Sequence, residues 1–256
     1  MAYQTISSTN DRLKCGITVS CVSNGTAVGD ITSVVVKKKY LNGTWKVIKT
    51  VPITEISDFT FSFFDPDTRS GFTYQYASIP VIDNVEQVGV TTQCKCEFDG
   101  IFVSDDTGTW ISLYNNEYSK NKNTQVSYIT TLSGKFPKRV SNAETDYYTG
   151  NAKGMFLPFD QCGKPVMQDW LLYKDGFLDM LANGHPKLLK TFDGNAWVIS
   201  VDANPKEEFS EFIGASMISF DWTQIGEFDK PPVTTQYTDA TSNFTVDASG
   251  KLVVAY

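Results

Sequence analysis

Along the first hundred residues, apolar and polar positions alternate in short runs broken by turn residues, the period-two signature of half-buried β-strands. Leu13 to Val22 puts Ile17 and Val19 on one face and stops at Asn24-Gly25. Ser33 to Val51 is two β-rich runs around Asn42-Gly43, a strong hairpin signal. A two-residue turn there sets Tyr40 opposite Trp45 and Val34 opposite Val51. One face then collects Val34, Val36, Tyr40, Trp45, Val47 and Val51, interrupted by Lys38 and Lys49, while Lys37 and Lys39 point the other way. The triplet Lys37-Lys38-Lys39 is therefore split between faces and forms no basic patch. Phe59 to Phe64, Phe72 to Val81 and Gln87 to Phe98 supply further strands, with the turn DPDTRSG, Asp65 to Gly71, between the first two. Its D-x-D spacing lacks the remaining ligands of a calcium loop, which leaves a plain turn.

The pattern changes after Asp99-Gly100. Ile101-Phe102-Val103, Thr109 to Tyr114 and Gln125 to Thr131 have strand character, and the polar stretch Glu117 to Thr124 has the composition of an exposed loop. Lys135 to Phe159 predicts strands around a turn at Thr149-Gly150. From Pro165 to Asn183 the period becomes helical: Val166, Trp170, Tyr173, Phe177 and Leu181 recur three or four apart, Pro165 suits the first helical position, and Asn183-Gly184 with Pro186 makes a stop. His185, the single histidine, then falls in a chain reversal. Lys187 to Lys190 and Ala196 to Val201 flank the turn Asp193-Gly194, with Trp197, Ile199 and Val201 on one strand face. Met217 to Trp222 predicts another strand.

The expected fold class is mainly β: an N-terminal immunoglobulin- or fibronectin III-like β-sandwich over 1–98, then a β-rich domain over 99–230 with one packed helix at about 165–183. Residues 231–256 form an arm, rich in Thr after Pro231-Pro232, and a small hairpin of Phe244 to Tyr256.

Composition narrows the function. Twenty-two basic residues against 29 acidic ones give a net charge of −7, contrary to what a phosphate-tracking nucleic-acid binder needs. No signal-like segment and no apolar run long enough for a membrane helix is present, so a soluble chain without membrane insertion is expected. Cys15, Cys21, Cys94, Cys96 and Cys162 are odd in number and show no C-x-x-C spacing. They are expected to be free buried thiols, with a zinc site from the first four left open. No nucleophile-and-base motif accompanies His185, Asp105-Asp106 sits in the turn DDTGTW, and no phosphate loop or metal-ligand cluster occurs. No catalytic residue, cofactor or metal site is assigned, and an enzyme is not expected.

Two resemblances add to this. Tyr74 and Tyr76 in FTYQYASIPV, followed by a loop and a final strand, resemble the penultimate strand of a fibronectin type III domain, a likeness covering about residues 8–98. TTLSGKFPKRVSNAETDYYTGNAKGMFLPF, then DMLANGHPKLLKTFDGNAWVISV, then MISFDWTQIGE are similar to distal-tail and baseplate proteins of long-tailed phages that infect Gram-positive bacteria. That resemblance covers about half the chain. It implies a structural component of the virion, assembled in the host cytoplasm as a homo-oligomer with other tail or baseplate proteins, in six-fold rings. The chain departs from a plain distal tail protein in placing a sandwich before the ring-type part, so ring component, adaptor and peripheral attachment all stay open. The competing function is a carbohydrate- or receptor-binding module, in which Trp110, Tyr114, Tyr147 and Tyr148 would stack on a host-surface glycan.

Overall fold

The computed structural model describes residues 4–24, 31–40, 43–129, 136–160, 162–202, 204–210 and 215–228, with short strands at 236–237, 240–241, 243–246 and 252–255. Two compact units emerge. The first comprises Met1–Asp99, Lys190–Ala196 and Gln236–Tyr256; the second comprises Gly100–Leu189 and Trp197–Thr235. Among the described residues the chain is mainly β with one α-helix.

In the first unit, β1 (Gln4–Asp11), β2 (Gly16–Ser23) and β5 (Phe61–Asp65) form one antiparallel sheet in the order β1-β2-β5. β3 (Ile31–Tyr40), β4 (Lys46–Pro52), β6 (Thr73–Ile82), β7 (Val85–Glu86) and β8 (Val90–Lys95) form the other, in which β6 pairs with β3 on one side and with β7 and β8 on the other. The expected Leu13 to Val22 strand is instead preceded by β1 and a turn, which Asp11 makes by accepting the backbone N–H groups of Leu13 and Lys14. Strict alternation buries Ile17, Val19 and Cys21 of β2 and Val34 and Val36 of β3 between the sheets. Ile31, Val34, Ile53 and Phe59 form one core cluster there. Each such side chain removed from water contributes ~1.5–3 kcal/mol.

The β3–β4 register bears out Val34 opposite Val51, but a bulge between Val36 and Lys37 shifts the rest to Lys38 opposite Lys46. Tyr40 and Trp45 therefore do not pair by a two-residue turn; β4 begins only at Lys46, and residues 41–42 lie outside the described residues. Tyr40, Trp45 and Val47 are exposed, and Lys38 takes the core position instead. The C-terminal hairpin pairs β18 (Asn243–Val246) with β19 (Leu252–Ala255); its expected turn, 248–250, lies outside the described residues, and β16 (Gln236–Tyr237) pairs with β17 (Ala240–Thr241).

The other large sheet is built from β9 (Ile101–Ser104), β10 (Thr109–Ile129), β11 (Lys138–Phe156), β12 (Lys187–Thr191), β13 (Ala196–Val201), β14 (Lys206–Ser210) and β15 (Ala215–Gly226). Their order is β11-β10-β9-β12-β13-β15-β14, and β11 also pairs with β15, which closes six strands into a barrel with β14 as an extra partner of β15. The β12–β13 hairpin forms as expected, with Gly194 at φ +85° in its turn and Trp197 and Ile199 buried. Ile101, Val103, Ala152, Phe156, Leu189, Trp197, Ile199, Ile218, Phe220 and Trp222 fill the interior.

α1 (Trp170–Ala182) follows a 3-10 turn, Met167–Asp169, so the helix starts later than Pro165. Pro165 bridges Phe159 and the Val166 N–H bonds to Pro158 O, which holds that stretch extended. The stop is as expected, with Gly184 at φ +74°. Phe177, Met180 and Leu181 face the core; the Phe177 ring stacks on Phe156 at 3.9 Å and meets Phe220 edge-on at 6.2 Å. No helix among the described residues is long and apolar enough to cross a membrane.

Candidate functional site

Where the sequence predicts a polar loop, Glu117 to Thr124, the chain continues β10 without a break. Thr149-Gly150 is likewise no turn but lies within β11, paired with Asn121 and Lys120. The physical reason is composition: most side chains from Glu117 to Thr124 are polar and exposed, with Tyr118 packed on the barrel core, so little period-two alternation is left in the sequence. The 21-residue β10 and 19-residue β11 form one long antiparallel hairpin. Its register steps between Ser112 and Tyr114, between Tyr114 and Glu117, and between Thr124 and Val126. At the second step Asn115 takes φ 52°, a conformation asparagine tolerates, while Ser112 donates to Asn116 Oδ1 at 2.6 Å and to Tyr114 O at 3.2 Å.

β11 also pairs with β15, from Thr149 to Gly154, and Gly150 makes that closeness possible: a Cβ there would lie 1.9 Å from Ser119 O and 2.9 Å from the Trp222 ring. Beyond Thr149, β11 runs on towards Lys138 with β10 as its partner. This outer ribbon ends with Tyr128 opposite Arg139 and Ile129 opposite Lys138. Tyr128 is 68% exposed, Ile129 53% and Phe136 73%. A two-stranded ribbon is marginal on its own in water, and large apolar side chains at its end gain nothing from solvent.

A second exposed surface lies on α1. Leu171, Leu172 and the preceding Met167 face outward, with Asp169, Asp175 and Asp179 also exposed. Lys174 is drawn to Glu207 Oε1 at 2.9 Å and Asp175 Oδ1 at 3.5 Å. The Glu207 hydrogen bond leads the effects that raise its pKa, over a smaller opposing cost of burial.

The four aromatic residues singled out for stacking fall in separate neighbourhoods. Trp110 packs on the barrel core 6.2 Å from Phe177, and Tyr148 lies 6.3 Å from Trp197. Tyr114 is half exposed and 5.9 Å from Phe159. Tyr147 is partly buried opposite Asn123, and as the neighbour of Tyr148 on β11 it points to the other face.

His185 sits in the turn after α1, where Nδ1 is 3.1 Å from Asp106 Oδ1 and its backbone N–H donates to Asn183 Oδ1 at 2.9 Å. Asn183 also donates to buried Asp105 at 2.8 Å and accepts from the Lys187 ammonium at 2.8 Å. Burial lowers the Lys187 pKa against the opposing pull of Asp105 and Asp106. Asp105, Asp106 and His185 bring ligand atoms within 4.8 Å of one another, enough to hold a cation, yet Asp105 Oδ1 already caps the Thr107 and Gly108 N–H groups. The geometry serves to tie the β9–β10 turn to the end of α1.

All five thiols are free; Cys15, Cys21 and Cys96 are buried, Cys94 is partly so and Cys162 is exposed. Burial pushes Cys15 and Cys21 up to about 11, which keeps them protonated and unreactive at neutral pH. Among the described residues the cysteines join no group of three or more metal-ligating side chains.

Sequence reasoning missed a buried polar network in the first unit. Lys38 Nζ lies 2.9 Å from Asp65 Oδ2 and also donates to the Asp67 carbonyl, and Tyr76 Oη donates to Asp65 Oδ2 at 2.6 Å. Burial, the largest influence on Lys38, would lower its pKa, but Asp65 and Asp67 together raise it. The D-x-D turn thus uses its carboxylates on a lysine. A lysine interrupting the Val34-Val36 face was the available signal. Next to this network Tyr74 Oη, at the start of β6, accepts the Arg69 backbone N–H at 3.0 Å.

No family model matches the chain, and no curated protein matches it. Among solved structures, a chain from the virion of a native gene transfer agent particle is similar at 12% identity and a TM-score of 0.31, over 50% of this chain and 92% of that one.

Proposed function

We propose that this protein is a non-enzymatic structural component of a phage virion, placed at the tail tip or baseplate, that assembles through protein–protein contacts as a ring subunit or adaptor. The carrying observation is the long β10–β11 hairpin, whose outer end exposes Tyr128, Ile129 and Phe136. A soluble monomer has no use for such an end, whereas a neighbouring subunit would bury it. The sequence resemblance to distal-tail and baseplate proteins covers this same half of the chain and supports the assignment.

The first unit would act as a decorating or spacing module. Its two-sheet arrangement supports the fibronectin III-like reading, as does Tyr74, whose hydroxyl reaches back to the Arg69 backbone in the manner of the tyrosine corner of immunoglobulin-like sandwiches. Light scattering on the purified full chain over a concentration series tests the proposal. A closed oligomer is expected, and a hexamer or trimer would fix the symmetry. A monomer at every concentration, together with retention on host cell-wall glycan, would replace the proposal with the carbohydrate-binding function.

A further inference from the structure

Two exposed surfaces of the second unit match in apolar character and oppose in charge. At the outer end of the hairpin, Tyr128, Ile129 and Phe136 are exposed beside Lys138. From Tyr118 to Ala143 the sequence carries five cations, Lys120, Lys122, Lys135, Lys138 and Arg139, and no acid, although Lys122 is paired with Asp146 of the facing strand at 2.7 Å. That stretch is +5 in a chain of net charge −7, which leaves −12 on the remainder. The outward face of α1 has the inverse composition: Leu171 is 54% exposed and Leu172 76%, beside exposed Asp175 and Asp179. The helix's one cation, Lys174, is drawn aside by Glu207 and Asp175 and leaves that face acidic.

Apolar area supplies affinity in a contact, and opposed charge supplies orientation and rules out like-to-like pairing. Hairpin end against hairpin end would set cations against cations, and helix against helix would set carboxylates against carboxylates. The favourable pairing joins two different surfaces, a heterologous contact that closes into a ring when its rotation permits. We infer that the cationic, aromatic end of the β10–β11 hairpin docks on the acidic, leucine-bearing outer face of α1 in a second copy of this chain. This rests on the assembly role proposed above and assigns it two specific surfaces.

The test uses the full chain with a benzophenone amino acid replacing Tyr128, mixed equally as ¹⁴N- and ¹⁵N-labelled protein, irradiated and mapped by mass spectrometry. Mixed-isotope cross-links to peptides spanning 167–182 are expected. Cross-links within one copy, or to any other surface, would overturn the inference. A charge exchange gives an independent reading by light scattering. Lys138→Glu with Arg139→Glu, or Asp175→Lys with Asp179→Lys, should each weaken association about 100-fold, and the four changes combined should recover most of it. Oligomers indifferent to both pairs would refute this docking while leaving the assembly role standing. A wild-type monomer at all concentrations, without inter-copy cross-links, would remove both. Retention of nucleic acid that is lost with Lys138→Glu but unchanged by Asp175→Lys would reassign the hairpin end to phosphate and likewise refute the docking.

Discussion

The two units centre their cores on different chemistry, although the second also buries Asp105 and Lys187 beside the end of α1. The barrel interior is apolar throughout its central cluster, with Phe156, Phe177 and Phe220 in mutual ring contact and Trp197 4.9 Å from Trp222. The sandwich places a lysine, an aspartate and a tyrosine at comparable depth, Lys38, Asp65 and Tyr76. An apolar core tolerates a change of shape because its forces are non-directional, whereas a buried ion pair tolerates almost none, since loss of one member strands the other in a low dielectric. The sandwich should therefore be brittle to single polar changes and the barrel forgiving of conservative apolar ones.

The largest expected effect comes from Lys38→Met. It leaves Asp65 buried without its cation and should cost about 3–5 kcal/mol, read as lost hydrogen-exchange protection in the 31–40 peptide with the 196–201 peptide unchanged. Adding Asp65→Leu and Tyr76→Phe removes the stranded groups and should recover most of that loss. If Lys38→Met left the 31–40 amides as protected as before, the network would have no structural weight.

Alkaline pH probes the same asymmetry. The Cys15 thiol, pushed up to about 11 by burial, keeps its proton in the folded state at pH values where the unfolded thiol has lost it. Above the unfolded thiol value of about 8.5 the unfolded chain binds fewer protons, so stability falls as pH rises. For Cys15 this amounts to about 2 kcal/mol between pH ~8.5 and 10. Lys38 acts in the same direction at higher pH: its raised folded value means that its contribution is complete below the unfolded lysine value of ~10.4 and is lost as pH climbs through the folded one. Tyr76, raised first by burial and then by the Asp65 charge, adds to that loss from pH ~10. Protection of the sandwich amides should decline from pH 8.5 upward, less steeply in Cys15→Ala. A level profile would show that the thiol is not sequestered.

These contrasts explain which parts of the fold were legible in the sequence. β2, β3, β6 and β13 bury one face against a core, so their alternation survives in the sequence, and the stripe of α1 with its Asn183-Gly184 stop survives for the same reason. Glu117 to Thr124 is mostly polar and exposed and reads as loop, whereas Gln125 onward is legible as strand, although both belong to the one 21-residue β10. The first turn of the expected helix was lost to a competing bridge between Phe159 and Pro165, a tertiary contact with no local signature. At the candidate site the aromatic residues were visible but their surroundings were not: Trp110 and Tyr148 pack on the barrel core and Tyr114 is half exposed, while Tyr128 and Phe136, which sequence reasoning passed over, are more exposed than any of these.

A conservative change sharpens the other side of the comparison. Phe177→Met in the barrel loses a stacked ring but keeps most of the volume, and methionine adapts to irregular space, so a cost below about 1.5 kcal/mol is expected. The 196–201 peptide would register it, with 31–40 unaffected. A loss as large as that of Lys38→Met would mean that ring geometry, rather than apolar volume, holds the barrel together.

The smallest effect on stability belongs to the residues with the greatest bearing on assembly. Tyr128→Ser and Leu172→Ser each remove a side chain that is more than half exposed, and neither leaves a cavity or a stranded polar group. Each should change unfolding free energy by less than about 0.5 kcal/mol, measured by denaturant titration at a protein concentration low enough to keep the chain dissociated. At high concentration the same two variants should differ from wild type in mass. That separation of stability from assembly distinguishes a surface kept apolar for a partner from one that props up the fold. If Tyr128→Ser destabilised the dissociated chain by several kcal/mol, the hairpin end would be packed within its own copy, and its aromatic character would need no partner to explain it.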